Sequence, residues 1–445
     1  MKQRPALIIN VIVIFLFAAC SSSPKESFDL VVPVPVIQRI YDSSVWPDRI
    51  LQSVSEDPAT QINLSWRTSG DIINGFVEYK VVHSTMGSDQ ETFTQTATVN
   101  QVRYDNIHDH YFKATLSGLK PGTGYMVRVG SDAYRSEWFN ASTAPSTFQS
   151  FRFLHFGDIK ENVREYAPRV FRHAAINYPD AKFLVHSGDM VNSNATDDTW
   201  GEWFYSGSWL FQQTPSIAVP GEGEHRQLQQ KGESMLYPQW NGSFNLPSNG
   251  PLGMENLSCY FDYPGMRIVT LYTHFPSANN HREIYLNHDD MVSEEHFHRQ
   301  LRWLERVLAG NRQPWLTVVM HHPVFTARKG RHNELLQKYI LPVLEKYKVD
   351  LVLQGHDLVY ARGFNPDPER ESKLPVYVIS VAGSEMMDAD RTHQWITRSR
   401  ENTQVYQVVN VSQNSIRVDA VNTGGQLVDR FWILRNENGS KRLAQ

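Results

Sequence analysis

Residues 183–189 read Phe183-Leu184-Val185-His186-Ser187-Gly188-Asp189. The run Phe183 to His186 is strand-like, Gly188 breaks it, and an acid follows at once. In an open α/β sheet such an acid points into the crevice at the carboxyl ends of the strands, where these sheets bind ligands. The arrangement recurs in Phe156-Gly157-Asp158, Val219-Pro220-Gly221-Glu222, Met320-His321-His322-Pro323 and Gln354-Gly355-His356-Asp357. One instance carries little weight. The repeated pattern predicts that separate strand ends converge on a hard or borderline metal ion, held by carboxylate and imidazole.

Around these stretches strands alternate with helices. Phe151 to Phe156, Trp315 to Met320, Leu351 to Leu353 and Val376 to Val381 are expected strands. Glu161 to Asn177 has helical spacing. Ser293 is an expected N-cap, with Phe297, Leu301, Leu304 and Leu308 as the apolar stripe behind it. Leu335, Leu336, Tyr339, Ile340, Val343 and Leu344 stripe another helix. Val405 to Leu434 returns to β structure, with Gly424-Gly425 as a hairpin turn. From about 46 to 146 the pattern is all-β. Ile62 to Trp66 and Tyr125 to Val129 alternate apolar and polar residues, and Leu119-Lys120-Pro121-Gly122-Thr123-Gly124-Tyr125 has the form of a tyrosine corner. With Trp66 on an early strand, this segment resembles a fibronectin type III sandwich.

At 445 residues the chain is expected to hold two domains. A net charge of −4 argues against a broad nucleic-acid surface, which needs clustered Lys and Arg, so no nucleic acid is expected as a partner. No apolar stretch has the length of a bilayer-spanning helix. Lys2 and Arg4 precede the apolar run Ala6 to Ala19, which is of signal-peptide length. Ala18-Ala19-Cys20 followed by Ser21-Ser22-Ser23 resembles a bacterial lipoprotein signal, favoured over an ordinary signal peptide with an incidental Cys because the Cys sits at the end of the apolar run. It implies cleavage before Cys20, lipid on its sulfur, and an exported protein of the bacterial cell envelope, in the outer membrane or periplasm. That leaves Cys259, expected as a buried small hydrophobe with no disulfide partner. A Ser or Cys hydrolase has little support, because no Gly-x-Ser-x-Gly elbow is present. The expected divisions are a signal segment at 1–19, a linker at 20–45, the β-sandwich at 46–146 and the metal-binding domain at 147–437.

The order Asp, Gly-Asp, Pro-Gly-polar, His-x-Pro and Gly-His resembles the calcineurin-like metallophosphoesterases, and the preceding sandwich makes it similar to the purple acid phosphatases. The resemblance implies an α/β fold in α+β layers. An N-terminal all-β sandwich is followed by a domain of two packed mixed sheets flanked by helices. It implies hydrolysis of phosphate mono- or diesters on a phosphorylated small-molecule substrate, with Zn, Mn or Fe as the divalent or trivalent ion. One ion is expected and a second has room. Carried over by position, Asp158 matches the first-metal aspartate and Asp189 the bridging one. His321 and His356 match the second-metal histidines, and Glu222 stands where that metal has an Asn.

The departures are specific. Asn192 replaces the first-metal Tyr, so no purple colour is expected, and Leu358 replaces that site's His. Lys160 stands two places after the first Asp, where its charge could replace a cation's or simply face solvent. Gly223 takes the place of the proton-donor His. His225 could substitute for it if the loop bulges, although an ordinary loop His is the plainer reading. Glu224 could be the ligand in place of Glu222. His322 is either a second candidate for assisting the leaving group or a wall of the pocket. Tyr360 and Arg362 are expected to be structural, and His155 and His186 to lie in the core or behind the ligands. The alternative to an enzyme is a phosphatase-fold binding protein with impaired catalysis at the cell envelope.

Overall fold

The computed structural model describes residues 40–82, 91–104, 107–194, 196–228, 233–275, 283–287 and 290–445. Cys20 and the segments on either side of it lie outside these residues. Residues 40–445 form one compact unit.

Two large sheets carry the fold. In the first, the parallel strands Phe151–Phe156, Leu184–His186 and Ser216–Ala218 sit side by side. The antiparallel strands Val405–Val411, Ser415–Asn422 and Leu427–Arg435 extend it on one side, as the C-terminal β pattern predicted. The second sheet runs Met266–Leu271, Trp315–Met320, Leu351–Gln354 and Val376–Ile379, all parallel. Both sets are largely buried on both faces, which suits parallel strands covered on each side.

The sandwich forms as expected. Trp66 stacks on Phe112 with ring centroids 5.3 Å apart, and the Tyr125 hydroxyl meets the Lys120 amide at 2.9 Å to close the tyrosine corner. One of its sheets is not closed off, however. Asp48–Ser53 pairs in parallel with Ser216–Ala218, so the sandwich strands continue the first large sheet without a break. The sequence signals strands but not which edge each one meets.

Local chemistry explains smaller differences. The expected helix from Glu161 begins at Val163, because Glu161 and Asn162 have φ of 67° and 51°, outside helical geometry. The stripe from Leu335 holds a π turn, Leu336–Ile340, before the α-helix Leu341–Lys346. Pro342 offers no N–H, and the wider turn absorbs the missing bond. Ser293 caps Glu294–Ala309, paired with His296 in a capping box. Cys259 is free and buried. The helix Asp197–Phe211 has no strong sequence signature. Its Gly201 admits the Tyr41 ring, and the helix survives by packing.

A buried ion network locks the sandwich to this helix. The Arg49 guanidinium donates to both Asp197 oxygens at 2.8 Å. Arg67 donates to Asp197 at 2.9 Å, to Asp109 at 3.0 Å, and in two bonds to Asp48. Burial alone would raise the Asp197 carboxyl, but Arg49 and Arg67 hold it below its ordinary value. Asp197→Ala would leave two guanidinium groups buried without their shared anion. The expected loss is about 3–5 kcal/mol of stability, read from the shift in the urea unfolding midpoint.

Candidate metal centre

The parallel strands of both sheets end at one place. Asp158 follows Phe151–Phe156, Asp189 follows Leu184–His186, His321 follows Trp315–Met320, and His356 follows Leu351–Gln354. Asp158, Asp189 and His321 each bring a ligand atom within 4.8 Å of the other two, and His321, His322 and His356 do the same. All but His322 and His356 are fully buried.

Tight turns make this approach possible. Asp189, His356 and Leu358 have φ of 53°, 74° and 58°, a strained choice for residues with a Cβ. Gly188 has φ 88°, and a Cβ there would sit 2.6 Å from His321 Nδ1. A Cβ on Gly355 would sit 2.8 Å from Asp158 Oδ1. The glycines that marked the strand ends in the sequence are therefore clearances for the ligands.

Hydrogen bonds set the donor atoms. His321 Nδ1 lies 2.8 Å from the Ser187 carbonyl oxygen, so Nδ1 carries the proton and donates. That leaves the Nε2 lone pair 3.4 Å from Asp189 Oδ1 and 3.3 Å from His356 Nδ1. Burial pushes the His321 pKa down to about 4 and, with the neighbouring His322 and His321, drives His356 well below its ordinary value. Both imidazoles are neutral at neutral pH, the form that binds metal.

Lys160 is not a solvated surface residue. Its Nζ lies 2.8 Å from Asp189 Oδ2, with 19% of the side chain exposed. Burial opposes its charge, but Asp189 and Asp158 hold the ammonium protonated. Asp189 in turn accepts from the Gly223 amide at 2.7 Å. Burial raises its carboxyl, yet His321, Lys160 and that amide bring it below its ordinary value. Asp158 accepts from the amides of His356 at 2.9 Å and Leu358 at 3.3 Å. Burial and the Asp189 charge nevertheless keep its carboxyl well above the usual range.

The donor chemistry divides the two metal positions. Around the first, Leu358 is apolar and buried, Asn192 turns to Glu161 at 3.1 Å, and the Lys160 ammonium holds an oxygen of the would-be bridging carboxylate. The donors that stand there are Asp158, Asp189 and His321. Around the second, the neutral His321 Nε2 lies 3.4 Å from Asp189 Oδ1 and 3.3 Å from His356 Nδ1, and two nitrogens with an anionic oxygen are donors that suit a borderline ion.

Three expectations are corrected. Glu222 does not join Asp189 and His321; it groups with His274 and His322, each ligand atom within 4.8 Å of the others. Glu224 is no ligand, since its oxygens accept from the amides of Asp189, Met190 and Gly221 at 2.7–2.9 Å and brace the loop from beneath. His225 is buried with both ring nitrogens engaged, Nδ1 with the Gly221 carbonyl at 2.7 Å and Nε2 with the Tyr272 hydroxyl at 2.9 Å. The loop does not bulge, so His225 braces it and cannot serve a leaving group.

His322 stands at the cleft with 14% of its side chain exposed. His155 meets Ser187 Oγ at 2.9 Å, and His186 lies among Phe156, Trp203 and Phe211, so both sit behind the site. Tyr360 and Arg362 bond Asp429 at 2.8 and 2.6 Å, a structural role. His274 is the functional candidate that sequence analysis missed. Its signal was present, because Tyr272-Thr273-His274 follows the strand Met266–Leu271 as the other ligands follow theirs.

Comparison with known proteins agrees with this geometry. A model of the purple acid phosphatase N-terminal domain matches residues 47–143, and one of the calcineurin-like phosphoesterases matches residues 151–360. The two matched segments follow one another in the domain order of the purple acid phosphatases. It is 25% identical over 345 residues to an uncharacterized protein of Mycobacterium tuberculosis, covering 68% of this chain and 60% of the relative. It is 24% identical over 283 residues to purple acid phosphatase 21 of Arabidopsis thaliana, covering 62% and 58%. The chain thus spans about three fifths of the length of these curated relatives. A purple acid phosphatase from yellow lupin (Lupinus luteus) seeds shares the fold at TM-score 0.69, with 14% identity over 88% of this chain and 75% of that one. PhoD does so at TM-score 0.64, with 12% identity over 90% and 92%.

Lys160→Met is expected to lower stability by about 3–5 kcal/mol without added metal, because two buried carboxylates lose their cation. Mn²⁺ or Zn²⁺ should recover more of the melting temperature in this variant than in the unaltered protein, measured by thermal unfolding with and without the ion.

Proposed function

We propose that this protein is a metal-dependent phosphoesterase that hydrolyses phosphate mono- or diesters with one ion held by Asp189, His321 and His356. The observation that carries the reading is the His321 tautomer. Ser187 takes the proton on Nδ1, and Nε2 is left aimed at a carboxylate oxygen and a second imidazole. An ion bound there would polarise a phosphoryl oxygen and make water acidic enough to attack. The chain's own groups do the remaining work. The Gly223 amide and Lys160 fix the Asp189 carboxylate, and Asp158 holds the turn that presents His356. The Lys160 ammonium supplies, without a metal, part of the positive charge that a first-site ion would bring to the phosphoryl group.

A second reading, a binding protein with impaired catalysis, is favoured by the Lys160–Asp189 pair and by Leu358. Hydrolysis of an aryl phosphate with Mn²⁺, Zn²⁺ or Fe added decides between them, because its leaving group departs without a proton donor. Under the enzyme reading, His356→Ala lowers kcat/KM by more than the ~10–100-fold typical of losing a residue behind a ligand. A rate the same in the variant as in the unaltered protein would sink the metal assignment.

We also propose that Cys20 carries a lipid and that the protein works at the cell envelope. The support is the sequence Ala18-Ala19-Cys20 behind an apolar run. Cys20→Ser should move the protein from the membrane to the soluble fraction in a bacterial host, while unchanged partitioning would remove the anchor.

A further inference from the structure

We propose that Glu222, His274 and His322 form a second cation site, distinct from the group of Asp158, Asp189 and His321 beside Lys160. This site takes a borderline divalent ion such as Zn²⁺, Mn²⁺, Fe²⁺ or Co²⁺.

The donors are two imidazoles and one carboxylate, with all three ligand atoms mutually within 4.8 Å. His322 Nε2 and Glu222 Oε1 are 3.9 Å apart. Two ligands on one ion at about 2.0–2.2 Å each can be separated by no more than roughly 4.2–4.4 Å, so this pair spans a shared ion without moving. Three protein ligands on one side of the ion leave positions open to water or substrate.

The surroundings orient the donors. Thr273 Oγ1 accepts from the His322 amide at 3.1 Å and lies 3.0 Å from His322 Nδ1, which directs Nε2 toward Glu222. The His274 ring is held between His225 at 4.4 Å and His322, almost parallel to it at 15°. His225, tied down by Gly221 and Tyr272, is thus the wall against which His274 rests. These three residues meet apart from Asp189 and His321. His322 becomes a ligand instead of the proton donor the sequence suggested, and Glu222 leaves the site that Asp189 shares. The inference rests on its own ligand set and does not require phosphate hydrolysis.

The test is Zn²⁺ stoichiometry of the full chain by elemental analysis, with Co²⁺ absorption as the second readout. The unaltered protein should hold two ions, while His274→Ala and His356→Ala should each hold one. The two variants should give different Co²⁺ spectra, because different donors remain. Thr273→Val keeps every ligand and nearly the same volume, and is expected to weaken one Co²⁺ affinity by about 10–100-fold. One ion, lost in His356→Ala and kept in His274→Ala and Thr273→Val, would overturn the second site and leave the proposed function standing. One ion lost in His274→Ala and kept in His356→Ala would support this site and overturn the assignment to Asp189, His321 and His356. No bound ion would overturn both.

Discussion

The site depends on keeping the Asp189 carboxylate buried and charged. A carboxylate away from water is costly unless cations and N–H groups surround it. Here Lys160 supplies the cation and Gly223 an amide. Each needs the backbone to come close. That requirement explains the glycines at 188, 221 and 223 and the positive φ of Asp189 itself. The Glu224 carboxylate braces the same turn from below by accepting the amides of Asp189 and Met190. Two carboxylates are thus arranged around one turn, one facing the cleft and one holding the backbone that presents it.

The same constraint reaches the domain seam. The chain leaves Asp189 through Met190 and Val191 and enters the helix Asp197–Phe211, whose first residue is clamped by Arg49 and Arg67 from the sandwich. The sandwich therefore anchors the far end of the loop that carries Asp189. Continuity of the first large sheet across Asp48–Ser53 and Ser216–Ala218 gives that anchor a rigid base. Coupling of this kind makes the N-terminal domain part of the support of the site.

The departures from the family pattern form a consistent set. A fixed ammonium at Lys160 pairs with Asp189, and the apolar Leu358 is buried while its amide still serves Asp158. Glu222 groups with His274 and His322 rather than with Asp189, and His322, His356 and His274 hold it well below the usual carboxylate range against the opposing effect of burial.

What the sequence determined alone was the local chemistry of strand ends. A β run followed by a ligand residue is a short-range signal, and Asp158, Asp189, His321 and His356 each stand just past the end of the strand that announced them. The tyrosine corner, the Ser293 cap and the Gly424-Gly425 turn were legible for the same reason, since each is decided within a few residues. Tertiary structure decided which ligands share a neighbour. Glu222 and Glu224 are two residues apart and chemically alike, yet one faces the cleft and the other bonds four amides beneath it. His225 is drawn inward by Tyr272, and His274 outward toward Glu222, through contacts made across strands far apart in the chain. Pattern along a chain fixes which way a local turn faces. Only packing fixes the distances between turns, and a metal site is defined by those distances.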